Sequence, residues 1–147
     1  MHPVRITAKL SVAKQPAVED FSALAAAGFT AIINNRPDGE EEAQPGSAAE
    51  QHAAQAAGLA YSHIPVTGPS ITEADVRRFQ SAVAGATGPV LGHCKSGTRS
   101  LTLWVIGEVL DGRMRAADVR AFGEGLGFDL KGAEAWLAQH GDRGGRS

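Results

Sequence analysis

The chain has 147 residues, a length suited to one domain, with 43% hydrophobic residues and a formal net charge of −2. That balance carries no basic footprint for nucleic acid or an anionic membrane surface, and the apolar runs fall far short of the roughly 20 residues that a bilayer span needs. One cysteine cannot form an internal disulfide or a thiolate zinc site. Met1–Arg5 lacks the apolar core of a signal peptide, so the expected location is a reducing cytoplasm.

The chain order reads as strand, helix, strand, helix, strand, helix, strand, then further helices. Residues 17–27 carry Val18, Phe21, Leu24 and Ala25 at helical spacing, and Gly28 is a stop. Residues 29–34 read as a buried strand, and 35–46, with Pro37, Gly39 and Pro45, as a loop. Ser47 and Glu50 have capping-box spacing, which predicts an alanine-rich helix running to Ala57. Residues 60–66 read as a strand, followed by a turn at Thr67-Gly68-Pro69-Ser70. Thr72 and Asp75 mark another helix start, with Val76, Phe79 and Val83 as its inner face. A short apolar strand spans 88–92 and a helix follows from Arg99 to Leu110, with Leu101, Trp104, Val105 and Val109 facing the core. Helices near 115–125 and 131–139 bury Val119, Phe122, Trp136 and Leu137, and 141–147 is expected to be a flexible tail on a domain of residues 1–140. Such alternation predicts an α/β fold: a single domain with a mostly parallel sheet of four or five strands and helices on both faces. Ligands of such sheets bind at the carboxyl ends of the strands, so the loops at 35–40, 67–70 and 94–98 should share one edge.

The only cysteine, Cys94, sits in one of these loops, between a strand and a helix. Its neighbours Lys95, Ser96, Gly97 and Thr98 are polar or small, unlike those of a core cysteine. Gly97 permits a turn that aims backbone amides inward as an anion nest, and Arg99 offers a planar fork of donors to an oxyanion. A thiol so placed is expected to be lowered from roughly 8.5 towards 3.5–7.5, and so to be a nucleophile at neutral pH. Lys95 reads as a charge on the loop rim. The five histidines, His2, His52, His63, His93 and His140, show no metal-ligand spacing, and there is no nucleotide-binding glycine fingerprint, so no cofactor or metal is expected.

The run His93-Cys94-Lys95-Ser96-Gly97-Thr98-Arg99-Ser100 resembles the signature loop of the cysteine-dependent protein tyrosine and dual-specificity phosphatases. More closely, the chain from Ile6 to Leu130 resembles the bacterial phosphatase-like family called domain of unknown function 442. Its segments Gly28-Phe29-Thr30, Asn35-Arg36-Pro37-Asp38-Gly39-Glu40, Ile64-Pro65-Val66 and Gly88-Pro89-Val90-Leu91 carry that likeness. Some members of the family are fused to a metallo-β-lactamase-type hydrolase domain. The resemblance implies a dual-specificity-phosphatase-like fold and a separate metallo-hydrolase partner. It implies Cys94 as nucleophile, Arg99 as phosphate clamp, Ser100 as a hydrogen-bond donor to the thiolate and His93 as a tuner of the thiolate from behind, a residue that reads equally as a satisfied core histidine.

Two departures bear on the chemistry. Four residues separate Cys94 from Arg99, where the phosphatases have five; the active loop of rhodanese sulfurtransferases is also short. The loop that carries the phosphatases' general-acid aspartate is here Thr67-Gly68-Pro69-Ser70, without a carboxylate. Asp38 or Glu40 could supply the acid from the neighbouring loop, with Arg36 holding one in place. Alternatively Asp38 caps backbone amides in a turn, and Glu41 and Glu42 form a solvated charge run. Three functions follow. The first is a phosphatase acting on a small anionic or phosphorylated molecule through a phosphocysteine. The second is a sulfurtransferase taking sulfane sulfur from a donor onto Cys94. The third is a non-enzymatic anion-binding or redox-sensing module.

Overall fold

Short β-branched and leucine-rich runs form the strands. The computed structural model, which describes residues 2–144, contains five: β1 (Val4–Arg5), β2 (Leu10–Ala13), β3 (Ala31–Asn34), β4 (Ala60–His63) and β5 (Val90–His93). They form one sheet in the order β1-β2-β5-β3-β4, parallel throughout except for β1, which pairs antiparallel with β2 at the edge. The expected α/β architecture is therefore present.

Six helices flank the sheet: α1 (Phe21–Ala26), α2 (Ser47–Ala57), α3 (Glu73–Gly85), α4 (Thr98–Leu110), α5 (Val119–Leu126) and α6 (Lys131–Gly144). Successive strand residues point to opposite faces, which divides the core in two. Ala13, Ile32 and Leu91 meet Phe21, Leu24, Ala54 and Leu59 beneath α1 and α2. Leu10, Val12, Ile33 and Val90 meet Val76, Phe79, Leu101 and Val105 beneath α3 and α4, with Val119, Leu130 and Trp136 beyond. Full burial of each such aliphatic or phenylalanine side chain contributes about 1.5–3 kcal/mol. Trp104 is half-buried and stacks on Phe122, with ring centroids 5.5 Å apart. Trp136 is buried and donates from Nε1 to the Ile71 carbonyl at 2.7 Å. Among the described residues no helix is long and apolar enough to cross a membrane.

The capping box predicted at Thr72 and Asp75 forms, with each side chain accepting from the other's backbone N–H at 3.1 and 3.0 Å. The one predicted at Ser47 and Glu50 does not. Gly46 caps α2, Ser47 is its first residue, and the Glu50 side chain is buried rather than turned back to the helix start. Helix α6 runs to Gly144, so residues 141–144 of the expected tail continue it; 145–147 lie outside the described residues.

Strand register builds the site. Ala13, His93, Asn34 and His63 are paired neighbours across β2, β5, β3 and β4. The chain therefore leaves all four parallel strands at the same height. Gln15, Cys94, Arg36 and Val66 come together at one edge of the sheet.

Candidate active site

Strand β5 ends at His93, residues 94–97 turn, and α4 begins at Thr98 with Gly97 as its cap. Gly97 has φ +98°, in the left-handed region that a side chain resists. A Cβ added there would stand 3.2 Å from the Phe128 ring, which closes that side of the turn. In this conformation the Gly97 N–H donates to Cys94 Sγ at 3.0 Å. Cys94 is 1% exposed, at the floor of the loop. The Lys95 carbonyl accepts from the Gln15 N–H at 3.1 Å, which ties the loop to the segment after β2.

Arg99 stands on the first turn of α4, five residues after Cys94. Its Nη1 and Nη2 donate to Glu40 Oε2 and Oε1 at 2.7 and 3.0 Å, and Nη1 also donates to the Val66 carbonyl at 3.0 Å. The bidentate fork fixes the guanidinium plane. The Glu40 hydrogen bonds push the Arg99 pKa up, and the charge of Cys94 adds to this. The same bonds, followed by those of Arg36, hold the Glu40 carboxyl down to about 2. Arg36 is 2% exposed and donates from Nε to Glu40 at 2.9 Å, from Nη2 to Glu41 at 2.7 Å and from Nη1 to Gln15 Oε1 at 3.1 Å. Lys95, on the exposed rim as expected, closes the lattice with a 3.2 Å contact to Glu41. Glu41 is thus an ion-pair partner rather than part of a solvated run.

Two expected roles need correction. Asp38 accepts from the Ser47 N–H at 2.7 Å and from Ser47 Oγ at 2.6 Å. These bonds hold its carboxyl below the ordinary range, so at neutral pH it is ionised and has no proton to donate. It tethers the first residue of α2, nine positions on, and not an amide of its own turn. The Ser100 hydroxyl, in place of donating to the thiolate, donates to Asn35 Oδ1 at 2.8 Å. Asn35 in turn donates to the Ile64 carbonyl from Nδ2 at 2.9 Å and to the His93 carbonyl from its N–H at 2.8 Å. Ser96 and Thr98 face each other at 3.2 Å near the mouth of the loop.

His93 is fully buried beneath the loop. Its Nε2 lies 2.8 Å from Glu50 Oε1 and its Nδ1 lies 3.2 Å from the Cys94 carbonyl. It is a satisfied core residue whose ring also lies against the cysteine backbone. Glu50, also fully buried, accepts from Gln15 Nε2 at 2.7 Å and from Tyr61 Oη at 3.2 Å. Gln15, Asn35, Glu50 and Tyr61 escape sequence reasoning as site residues. The available signal was the second polar residue after the apolar run of a parallel strand, a position that Gln15 and Asn35 both occupy. The turn Gly68–Ser70 bonds within itself, Thr67 to Ser70, and offers no carboxylate.

Comparison with known proteins supports the same fold. The profile of the family described as "Beta-lactamase hydrolase-like protein, phosphatase-like domain" matches residues 4–111. A "Beta-lactamase hydrolase-like protein" of Agrobacterium fabrum (strain C58 / ATCC 33970) is 56% identical over 137 residues, covering 93% of this chain and 32% of that protein. The chain thus spans about a third of the length of the curated relatives it matches. A crystal structure of a candidate phosphatase from Neisseria meningitidis Z2491 superposes with a TM-score of 0.81 at 31% identity, covering 92% of this chain and 95% of that one. A candidate phosphatase (DUF442) from Shewanella putrefaciens CN-32 shares the fold at 22% identity, with a TM-score of 0.75 and coverage of 97% and 92%. The chain belongs to the phosphatase-like domain family of the beta-lactamase hydrolase-like proteins, a branch of the cysteine-phosphatase fold.

Proposed function

We propose that the protein is a sulfurtransferase whose Cys94 thiolate takes sulfane sulfur from an anionic donor and passes it to a thiol. The observation that carries this is the state of the carboxylates. Asp38 is bound by Ser47, Glu40 is held near a pKa of 2 by Arg99, and the 67–70 turn has none. A phosphate monoester of an alcohol expels an alkoxide, and lack of a general acid costs about 10²–10⁴ in rate. Sulfur transfer requires no such proton. With thiosulfate, the Cys94 sulfur bonds to the outer sulfur, the S–S bond breaks, and its electron pair leaves on sulfite. The enzyme keeps a persulfide. An acceptor thiolate then attacks the outer sulfur, forming its own persulfide and returning the Cys94 thiolate. The Gly97 N–H on Cys94 Sγ at 3.0 Å supports this reading, as a donor that stabilises charge on the sulfur.

A second reading, phosphoester hydrolysis through a phosphocysteine, is favoured by the fold and by the phosphatase descriptions of the relatives. It confines the site to substrates whose leaving groups depart unprotonated, such as aryl phosphates. Steady-state rates separate the two. Thiosulfate with a thiol acceptor should give the larger kcat/KM, and an alkyl phosphate should give none. Turnover of alkyl phosphates above the rate with thiosulfate would overturn the proposal.

A further inference from the structure

Three arms reach the Cys94 loop from one buried carboxylate. Glu50 lies on α2, the helix that packs against the sheet from the face opposite α4. Through Oε1 it meets His93 Nε2 at 2.8 Å, and the His93 ring continues to the Cys94 carbonyl at 3.2 Å. Through Oε2 it holds Gln15 Nε2 at 2.7 Å, and the Gln15 backbone N–H donates to the Lys95 carbonyl at 3.1 Å. The Gln15 carboxamide oxygen then accepts from Arg36, which holds Glu40, which holds Arg99. The chain of contacts runs from Cys94 through His93, Glu50, Gln15, Arg36 and Glu40 to Arg99. Its side chains come from five segments: Gln15, the loop carrying Arg36 and Glu40, α2, residues 93–94 and α4.

We propose that Glu50 is the positioning residue of the active loop, fixing the thiol and the guanidinium relative to each other by holding His93 and Gln15 at once. The chemistry favours a carboxylate at this place. Its two oxygens face three donors or potential donors, His93, Gln15 and Tyr61, none of which a hydrophobic residue could satisfy. A carboxamide supplies only one acceptor oxygen and turns an NH2 group on one of those donors. Tyr61 is itself held by Asn34 Nδ2 at 2.9 Å, so the third contact is braced and not free to compensate. Glu50 touches neither substrate nor reacting sulfur, and its effect passes through the backbone of residues 94 and 95.

The catalytic side of this inference rests on the sulfurtransferase reading; the effect on the thiol does not. The test uses the full chain and its single cysteine. Alkylation by iodoacetamide reads the Cys94 thiol directly, and steady-state sulfur transfer from thiosulfate reads turnover. Glu50→Gln should slow alkylation at neutral pH by about tenfold, the size of one charge-assisted hydrogen bond. It should lower kcat with little change in KM. Glu50→Asp, which keeps the charge on a shorter arm, should recover part of both. Combined with His93→Gln, Glu50→Gln should add less than it costs alone, because only the Gln15 arm is left to cut. Each variant is taken only in protein with parental circular dichroism; if Glu50→Gln does not fold, Gln15→Ala, which cuts the second arm at the surface of the core, replaces it with the same expected losses. Parental alkylation rate and kcat in the folded variant would overturn the proposal. A shifted alkylation rate in a protein that never accepts sulfur would retain the positioning role and remove the proposed function.

Discussion

The loops after β5 and after β3 leave the sheet side by side and are built on opposite plans. The first, residues 94–97, is a tight turn in which a backbone N–H donates to the cysteine sulfur. The second, residues 35–41, is a lattice of ion pairs: Arg36 with Glu40 and Glu41, Glu40 with Arg99, Glu41 with Lys95. In the proposed function one loop supplies the reacting atom, the other its electrostatic frame. A nucleophile can be encoded in eight consecutive residues, while its orientation here depends on charges some 60 positions away in the chain.

If that division holds, the two loops should fail differently. Cys94→Ser removes the reacting atom and should abolish turnover, measured with thiosulfate and with an aryl phosphate; retained activity would take the chemistry out of the first loop. Arg99→Lys keeps the charge but loses the planar fork to Glu40, so kcat should fall about 10²-fold. Glu40→Gln breaks the frame and leaves the turn, and a loss of about tenfold is expected, the size of one charge-assisted hydrogen bond. Glu40 also gives the frame a pH signature. Its folded pKa, about 2, lies below the ordinary 4.5, so its stabilising effect is complete above about pH 4.5 and is lost as pH falls towards 2. The difference in urea midpoint between the parent and Glu40→Gln should therefore shrink across that interval; a constant difference would detach Glu40 from the ion pairs. Smallest is Asp38→Ala, which removes the Ser47 contacts at the start of α2. It should cost about 1 kcal/mol in chemical denaturation while leaving kcat within about twofold. A hundredfold loss of kcat would restore Asp38 as the acid.

The two loops also differ in how far the sequence discloses them. Cys94, Gly97 and Arg99 are legible because their roles arise from local spacing: a strand end, a left-handed turn, a helix start. The parallel-sheet rule then brings residues 35–40 to the same edge, and strand register makes that placement concrete. Partner choice is another matter. Glu50 sits three positions after Ser47, and that spacing suggested a capping box. Gly46 takes the cap, and the face of α2 turned to the sheet puts Glu50 against His93. Ser100 and Asn35 meet only because α4 and β3 flank β5. Asp38 is a further case: the turn around it suggested a local cap, and its partner is Ser47, nine positions on at the start of α2. Ion pairs between loops depend on tertiary packing, which spacing does not carry.

The central claim, that the atom handled on Cys94 is sulfur, is tested most directly by the intact mass of the protein after incubation with thiosulfate and removal of excess donor. The account predicts a species one sulfur atom heavier, absent from Cys94→Ser and returned to the parent mass by a thiol. An unchanged mass, in protein that hydrolyses an aryl phosphate and traps phosphate on Cys94, would contradict it.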